Sequence, residues 1–155
     1  MKFEVPSPLK SEHEELHGEL VLATKTGGRT GEAAKAVAKL MHPHFLKEEE
    51  YALPPLGLLS ALAEGNIEPG MADVLELTDK LEAELPHMLA EHDEIVTALQ
   101  RLSEAAQAES KPEHAHFAQK LMAHARTEEE VFYPAAILIG RYLKAVVRGP
   151  DKGST

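Results

Sequence analysis

Two segments of the chain repeat each other about eighty residues apart, and the positions they share carry histidine and glutamate. Ser11-Glu12-His13-Glu14-Glu15-Leu16 is matched by Ala90-Glu91-His92-Asp93-Glu94-Ile95, at an offset of 79. His44-Phe45-Leu46-Lys47-Glu48-Glu49-Glu50, with Pro54 behind it, is matched by His124-Ala125-Arg126-Thr127-Glu128-Glu129-Glu130 and Pro134, at an offset of 80. Each half therefore holds one lone His and one His-x-x-x-Glu pair. On a helix, residues i and i+4 share a face about 6 Å apart along the axis, so each pair can offer an imidazole and a carboxylate to one place. Four histidines and two glutamates in two-fold arrangement predict a site for two metal ions.

The rest of the composition narrows the choices. At 155 residues the chain is one domain able to bury a core of its own. Cysteine is absent, which removes disulfides, thiolate zinc sites and iron–sulfur ligation. A net charge of -10, from 26 acidic and 16 basic residues, disfavours nucleic acid and anionic membrane as partners and predicts a soluble cytoplasmic protein. No signal-peptide core stands at the N-terminus, and no run approaches the roughly 18 apolar residues of a membrane span.

The periodicity is helical throughout. Ser7-Pro8 reads as a helix start and Gly27-Gly28 as its end. A second helix is predicted from Thr30 to Pro54-Pro55, with a kink at Pro43, and a short apolar helix from Leu56 to Glu64. A third pattern runs from Met71 to about Glu109, split or bent at Pro86. Ser110-Lys111-Pro112 opens the fourth, which continues past Pro134 to about Val147. Short connections and the repeat together predict an all-α fold, an antiparallel four-helix bundle built from two similar helical hairpins. Residues 1–148 are expected to form the bundle and 149–155 a disordered tail.

Every candidate ligand falls where a core residue is due. The apolar stripes read Leu9, His13, Leu16, Leu20; Val37, Met41, His44, Glu48, Tyr51; Leu85, His92, Ile95, Leu99, Leu102; and Phe117, Leu121, His124, Glu128, Val131. One histidine on such a stripe is an ordinary hydrogen-bonded core residue, but two carboxylates there are not ordinary. A buried unpaired carboxylate costs several kcal/mol or more, and no lysine or arginine shares these stripes. Metal ions are the simplest source of the missing charge. Glu49, Glu50, Glu129 and Glu130 lie about 100° or more off the ligand face and are expected in solvent or supporting a ligand from behind. His42, His87, His114 and His116 lack a repeat partner and read as surface or capping residues. His17 lies one turn from His13 but its counterpart is Val96, which leaves it a possible fifth ligand.

The pattern resembles the hemerythrin-like family, the histidine-histidine-glutamate cation-binding domains, over nearly the whole chain. The resemblance implies a four-helix bundle around a non-haem di-iron centre, with metal ligands His13, His44, Glu48, His92, His124 and Glu128 and two Fe ions, zinc or manganese being possible in the same ligands. It departs from the oxygen-carrying hemerythrins, whose third helix has His-x-x-x-His and whose fourth has His-x-x-x-x-Asp. Here Met88 and Val96 flank His92 at four residues, and Glu129 stands in place of that Asp. Counting ligands on two octahedral irons leaves about two open positions instead of one, which favours reaction or sensing over reversible carriage. Tyr51, one face-repeat beyond His44, is either a group that binds or hydrogen-bonds a ligand at the metal, or a core tyrosine satisfied elsewhere.

The resemblance thus implies a protein that binds, senses or reacts with a small diatomic or peroxide ligand, namely O2, peroxide or NO. Iron storage or donation without turnover is the alternative. A ferritin-like carboxylate enzyme would need Glu-x-x-His on two helices. Glu14 with His17 and Glu84 with His87 have that spacing, but Pro86 interrupts the second and the repeat relates neither.

Overall fold

The structure, a computed structural model, describes residues 1–147. All regular elements among them are helical: α1 (Ser7–Thr24), α2 (Gly28–Lys47), α3 (Leu59–Ala63), α4 (Leu75–Ala108), α5 (Pro112–Thr127) and α6 (Tyr133–Val147). The chain has four long helical units, α1, α2, α4 and α5 continued by α6, as a four-helix bundle requires. Helix α3 and two 3-10 turns, Pro54–Leu58 and Pro69–Val74, fill the link between the halves. No described helix is long and apolar enough to cross a membrane. The tail expected at 149–155 lies outside the described residues.

The turn between α1 and α2 and the turn between α4 and α5 are tied together. Gly28 crosses its turn at φ +74, left-handed backbone that a glycine adopts without steric cost. A Cβ there would also collide with the Glu109 carboxylate, which accepts from the Arg29 N–H at 3.2 Å and from the Thr30 N–H and hydroxyl at 2.7 and 2.6 Å. Glu109 thus satisfies the free N–H groups that open α2, a task usually done by a neighbouring residue in sequence. The hydrogen bond from the Thr30 hydroxyl, then that from its N–H, holds the Glu109 carboxyl down at about 2. Lys111 Nζ donates to the Gly27 carbonyl at 3.0 Å across the same junction.

Two prolines interrupt the helices less than their chemistry suggests, and two others matter more. Pro43 sits inside α2, and at Pro86, where a split or a bend was expected, α4 is not split. Both prolines are exposed, so the carbonyl each leaves without a donor lies on the water side of its helix. Pro54 and Pro134 follow paired π turns, Glu48–Ala52 and Glu128–Phe132. In each, the residue before the proline bonds five residues back, Leu53 N–H to the Glu48 carbonyl and Tyr133 N–H to the Glu128 carbonyl. Widening the turn by one residue relieves the clash of the proline ring with the preceding carbonyls. It also rotates everything after it by about 100° relative to a regular helix. After the second turn Tyr133 is fully buried, while Val131, expected on the core stripe, is 53% exposed; in the first half its counterpart Tyr51 stays buried.

Two apolar clusters result. Leu16, Leu20, Val37, Met41, Ile95, Leu99, Phe117 and Leu121 form one between α1, α2, α4 and α5. Leu53, Leu56, Met71, Leu81, Met88, Tyr133, Ile139 and Leu143 form the other, where α6 and the linking turns meet the first part of α4. Gly140 lets α6 press directly on Thr78 of α4, a contact any Cβ would block. Each ligand-bearing unit passes from one cluster to the other, and its candidate ligands lie at the crossing.

Candidate metal centre

The six sequence-derived candidates come together from four helical units. His13 (5% exposed), His44 (1%), Glu48 (0%), His92 (1%), His124 (5%) and Glu128 (2%) are all buried. His44, Glu48, His92 and Glu128 form one group of atoms able to hold a metal ion; His13, His124 and Glu128 form a second. Within the first, the Nε2 atoms of His44 and His92 stand 2.8 Å apart, Glu48 Oε1 lies 2.8 Å from His44 Nε2, and Glu128 Oε1 lies 3.6 Å from His92 Nε2. Within the second, the Nε2 atoms of His13 and His124 are 3.2 Å apart, and Glu128 Oε2 lies 3.5 Å from each. Glu48 Oε2 reaches toward this side too, 3.6 Å from His13 Nε2. Each glutamate thus presents one oxygen to each histidine pair.

These carboxylates fit a bound cation and nothing else in their surroundings. Both oxygens of Glu48, and Oε2 of Glu128, are buried without a hydrogen-bond partner, and no lysine or arginine among the described residues pairs with either. Two such carboxylates facing one another would cost several kcal/mol apiece if left bare, far more than any polar core residue is retained for.

The rings are set by carboxylates behind them. Glu129 Oε1 lies 2.9 Å from His92 Nδ1, and Glu12 Oε1 lies 2.7 Å from His124 Nδ1. With each Nδ1–H donating outward, the Nε2 lone pair faces inward, the tautomer a metal needs. Glu91 approaches His44 Nδ1 at 3.5 Å and is shared with Lys47, whose Nζ lies 2.6 Å from its other oxygen. Burial works to raise the Glu91 carboxyl, but the Lys47 hydrogen bond and the His44 ring outweigh it and hold it below its usual value. Burial, then the neighbouring His44, pushes the His92 ring down, toward the neutral form. His13 Nδ1 makes no hydrogen bond among the described residues.

Tyrosine enters the site from a different place than the stripe suggested. Tyr51 is buried, but its hydroxyl points at the Met88 sulfur, 3.5 Å away, and burial pushes its phenol up to about 12. The hydroxyl at the cluster belongs to Tyr133, 3.1 Å from His92 Nε2 and 3.4 Å from His44 Nε2. Burial, and next the Glu48 charge, raises the Tyr133 phenol far above its ordinary value, so it stays protonated. His17 is exposed and stacks edge-on against Phe45 at 6.4 Å, outside both groups. His42, His87 and His116 are exposed, and His114 bonds the Thr26 hydroxyl at 3.0 Å. Glu50 pairs with Lys80 and Glu130 with Arg126.

Tyr133 escaped the periodic reading because that reading keeps one helical repeat through Glu128, whereas the π turn changes it. Its signal was the proline that follows it. Glu12 and Glu91 were overlooked for another reason. Each precedes a ligand by one residue and so points about 100° off that ligand's face, which places it beside a histidine of the adjoining helix. The repeat does carry this signal, since Glu12-His13 and Glu91-His92 correspond.

No curated protein and no solved structure matches the chain. A family model does: the hemerythrin HHE cation binding domain matches residues 8–136, a span that includes all six ligand candidates, both π turns and Tyr133. The chain belongs to the hemerythrin HHE cation-binding domain family.

Proposed function

We propose that this chain is a di-iron protein that meets a small oxidant, O2, peroxide or NO, at a centre of four histidines and two glutamates. The observation that carries the reading is the pair of buried carboxylates shared between two histidine pairs, with three of their four oxygens unpartnered. One ion would lie with His44, His92, Glu48 and Glu128 and a second with His13, His124 and Glu128, toward which Glu48 Oε2 also reaches. The surrounding fold is two antiparallel hairpins, a reading supported by the short connections within each half and by the Glu109 and Lys111 contacts that join their turns.

When bound, iron supplies the electrons and open coordination positions that such an oxidant requires. The chain does the rest. Glu12 and Glu129 fix the tautomer and orientation of His124 and His92. The two apolar clusters on either side keep bulk water out. Tyr133 holds a proton next to His44 and His92 that a small ligand bound there can accept as a hydrogen bond. Storage and release would require ligands that open readily, and six residues at 5% exposure or less argue for retention.

The test is to load apo protein with Fe2+ without oxygen, then mix it with O2, peroxide or NO while recording the near-ultraviolet and visible spectrum. The reading predicts about two irons per chain and a new absorption on mixing. An iron-loaded protein whose spectrum ignores all three would refute it.

A further inference from the structure

We infer that the cavity between α1 and α2 is a landing site for a divalent cation bound for the buried centre, with His17 and His42 as its capturing ligands; the inference rests on the di-metal reading. Any ion from solvent must reach six ligands that are almost wholly enclosed. Among the described residues, two surface cavities reach the ligand set at His13, and Glu49 lines both. One, of about 400 Å³, is lined by residues of the N-terminal segment and carries Lys2 and Lys10, whose charges offset those of Glu4 and Glu49 and leave no net attraction for a cation. The other, of about 220 Å³, is lined by Glu14, His17, His42 and Glu49 and has His13 at its inner side; no lysine or arginine lines it.

These four residues are unoccupied in any other task. None of Glu14, His17, His42 or Glu49 makes a side-chain hydrogen bond or ion pair among the described residues, so their imidazoles and carboxylates can turn toward an incoming ion. Imidazole and carboxylate are the groups that first replace water around such an ion. Their ligand atoms are not drawn together as those of the buried centre are, which suits transit and not residence. His17 stands one helical turn from His13 on α1, and the cavity reaches His13, so an ion held there is one step from the pair formed by His13 and His124.

The experiment follows anaerobic uptake of Fe2+ by apo protein, quenching aliquots with a chelator that strips loosely held ion and counting what remains. His17→Gln with His42→Gln should load roughly tenfold more slowly than the unaltered chain, the low end of the 10–100-fold that losing imidazoles around a metal typically costs in affinity, yet reach the same final count. His87→Gln with His116→Gln, two exposed histidines elsewhere, should load at the original rate. Equal rates for the first variant, an equal slowing in the second, or a lower final count in the first would each overturn the inference. The final count of the unaltered chain tests the di-metal reading separately, because the ratio of rates is measured whatever that count is.

Discussion

His92 and His13 hold equivalent places in the two halves of the chain, yet their surroundings differ. His92 has Glu129 on its Nδ1 and both Tyr133 and His44 at its Nε2, and the second apolar cluster adjoins it. His13 has no Nδ1 partner among the described residues, although Glu49 corresponds to Glu129, and it faces two cavities. At the place equivalent to Tyr133 the first half has Leu53. The repeat has thus kept the ligands and changed what stands behind them. The lesson is that a duplicated set of histidines and glutamates gives two groups able to hold a metal ion with unequal surroundings: one beside a phenol, the other, though buried, adjoining two cavities at His13.

The strongest way to break this comparison is at the shared glutamates. Glu128 belongs to both groups able to hold an ion and Glu48 to one, so Glu128→Ala should lose nearly all bound metal while Glu48→Ala retains about one ion per chain. Metal analysis after desalting decides it, and equal losses would mean that the halves are equivalent at the centre. Next in size are the supporting carboxylates. Glu129→Gln should weaken metal affinity by roughly 10–100-fold and Glu49→Gln hardly at all, because only the former holds a ring. Competition with a chelator of known affinity measures both. If the Glu49 variant weakens as much, the apparent asymmetry at His13 vanishes when metal is present.

The part of the centre that the sequence made legible is the part fixed by the repeat. His13 with His92, and His44 and Glu48 with His124 and Glu128, could be paired from spacing alone, because i and i+4 share a face in any regular helix. What remained hidden depended on a departure from regularity or on the neighbouring helix. The second π turn exchanges Val131 for Tyr133 on the inner face, and Glu12 and Glu91 act on histidines that belong to other helices. Pro86, expected to split or bend the third pattern, does not split it: its chemistry forbids one hydrogen bond, but the residue lies on the exposed face of α4, where water can take that bond's place.

Tyr133 gives a smaller, cleaner contrast. Tyr133→Phe keeps the ring and removes one hydroxyl, so stability should change by about 1 kcal/mol or less and the metal count not at all. The reaction with peroxide or O2 should change in rate, as read by stopped-flow absorption, while Tyr51→Phe leaves it unaltered. A like effect of the two variants would remove the hydroxyl from the mechanism. The smallest effect is expected at the distant turn junction. Because the folded state lowers the Glu109 carboxyl from 4.5 to about 2, its contribution is complete above about 4.5 and is lost as the pH falls toward 2. The stability difference between the unaltered chain and Glu109→Gln should therefore shrink over that window and be flat at neutral pH.

The central claim is that cations neutralise Glu48 and Glu128, and thermal unfolding during anaerobic titration of apo protein with Fe2+ tests it most directly. The account predicts a melting temperature that climbs until about two equivalents are bound and then levels off, since each ion relieves buried charge and binds only the folded chain. A melting temperature indifferent to Fe2+ would contradict it, showing that the two carboxylates are accommodated without metal.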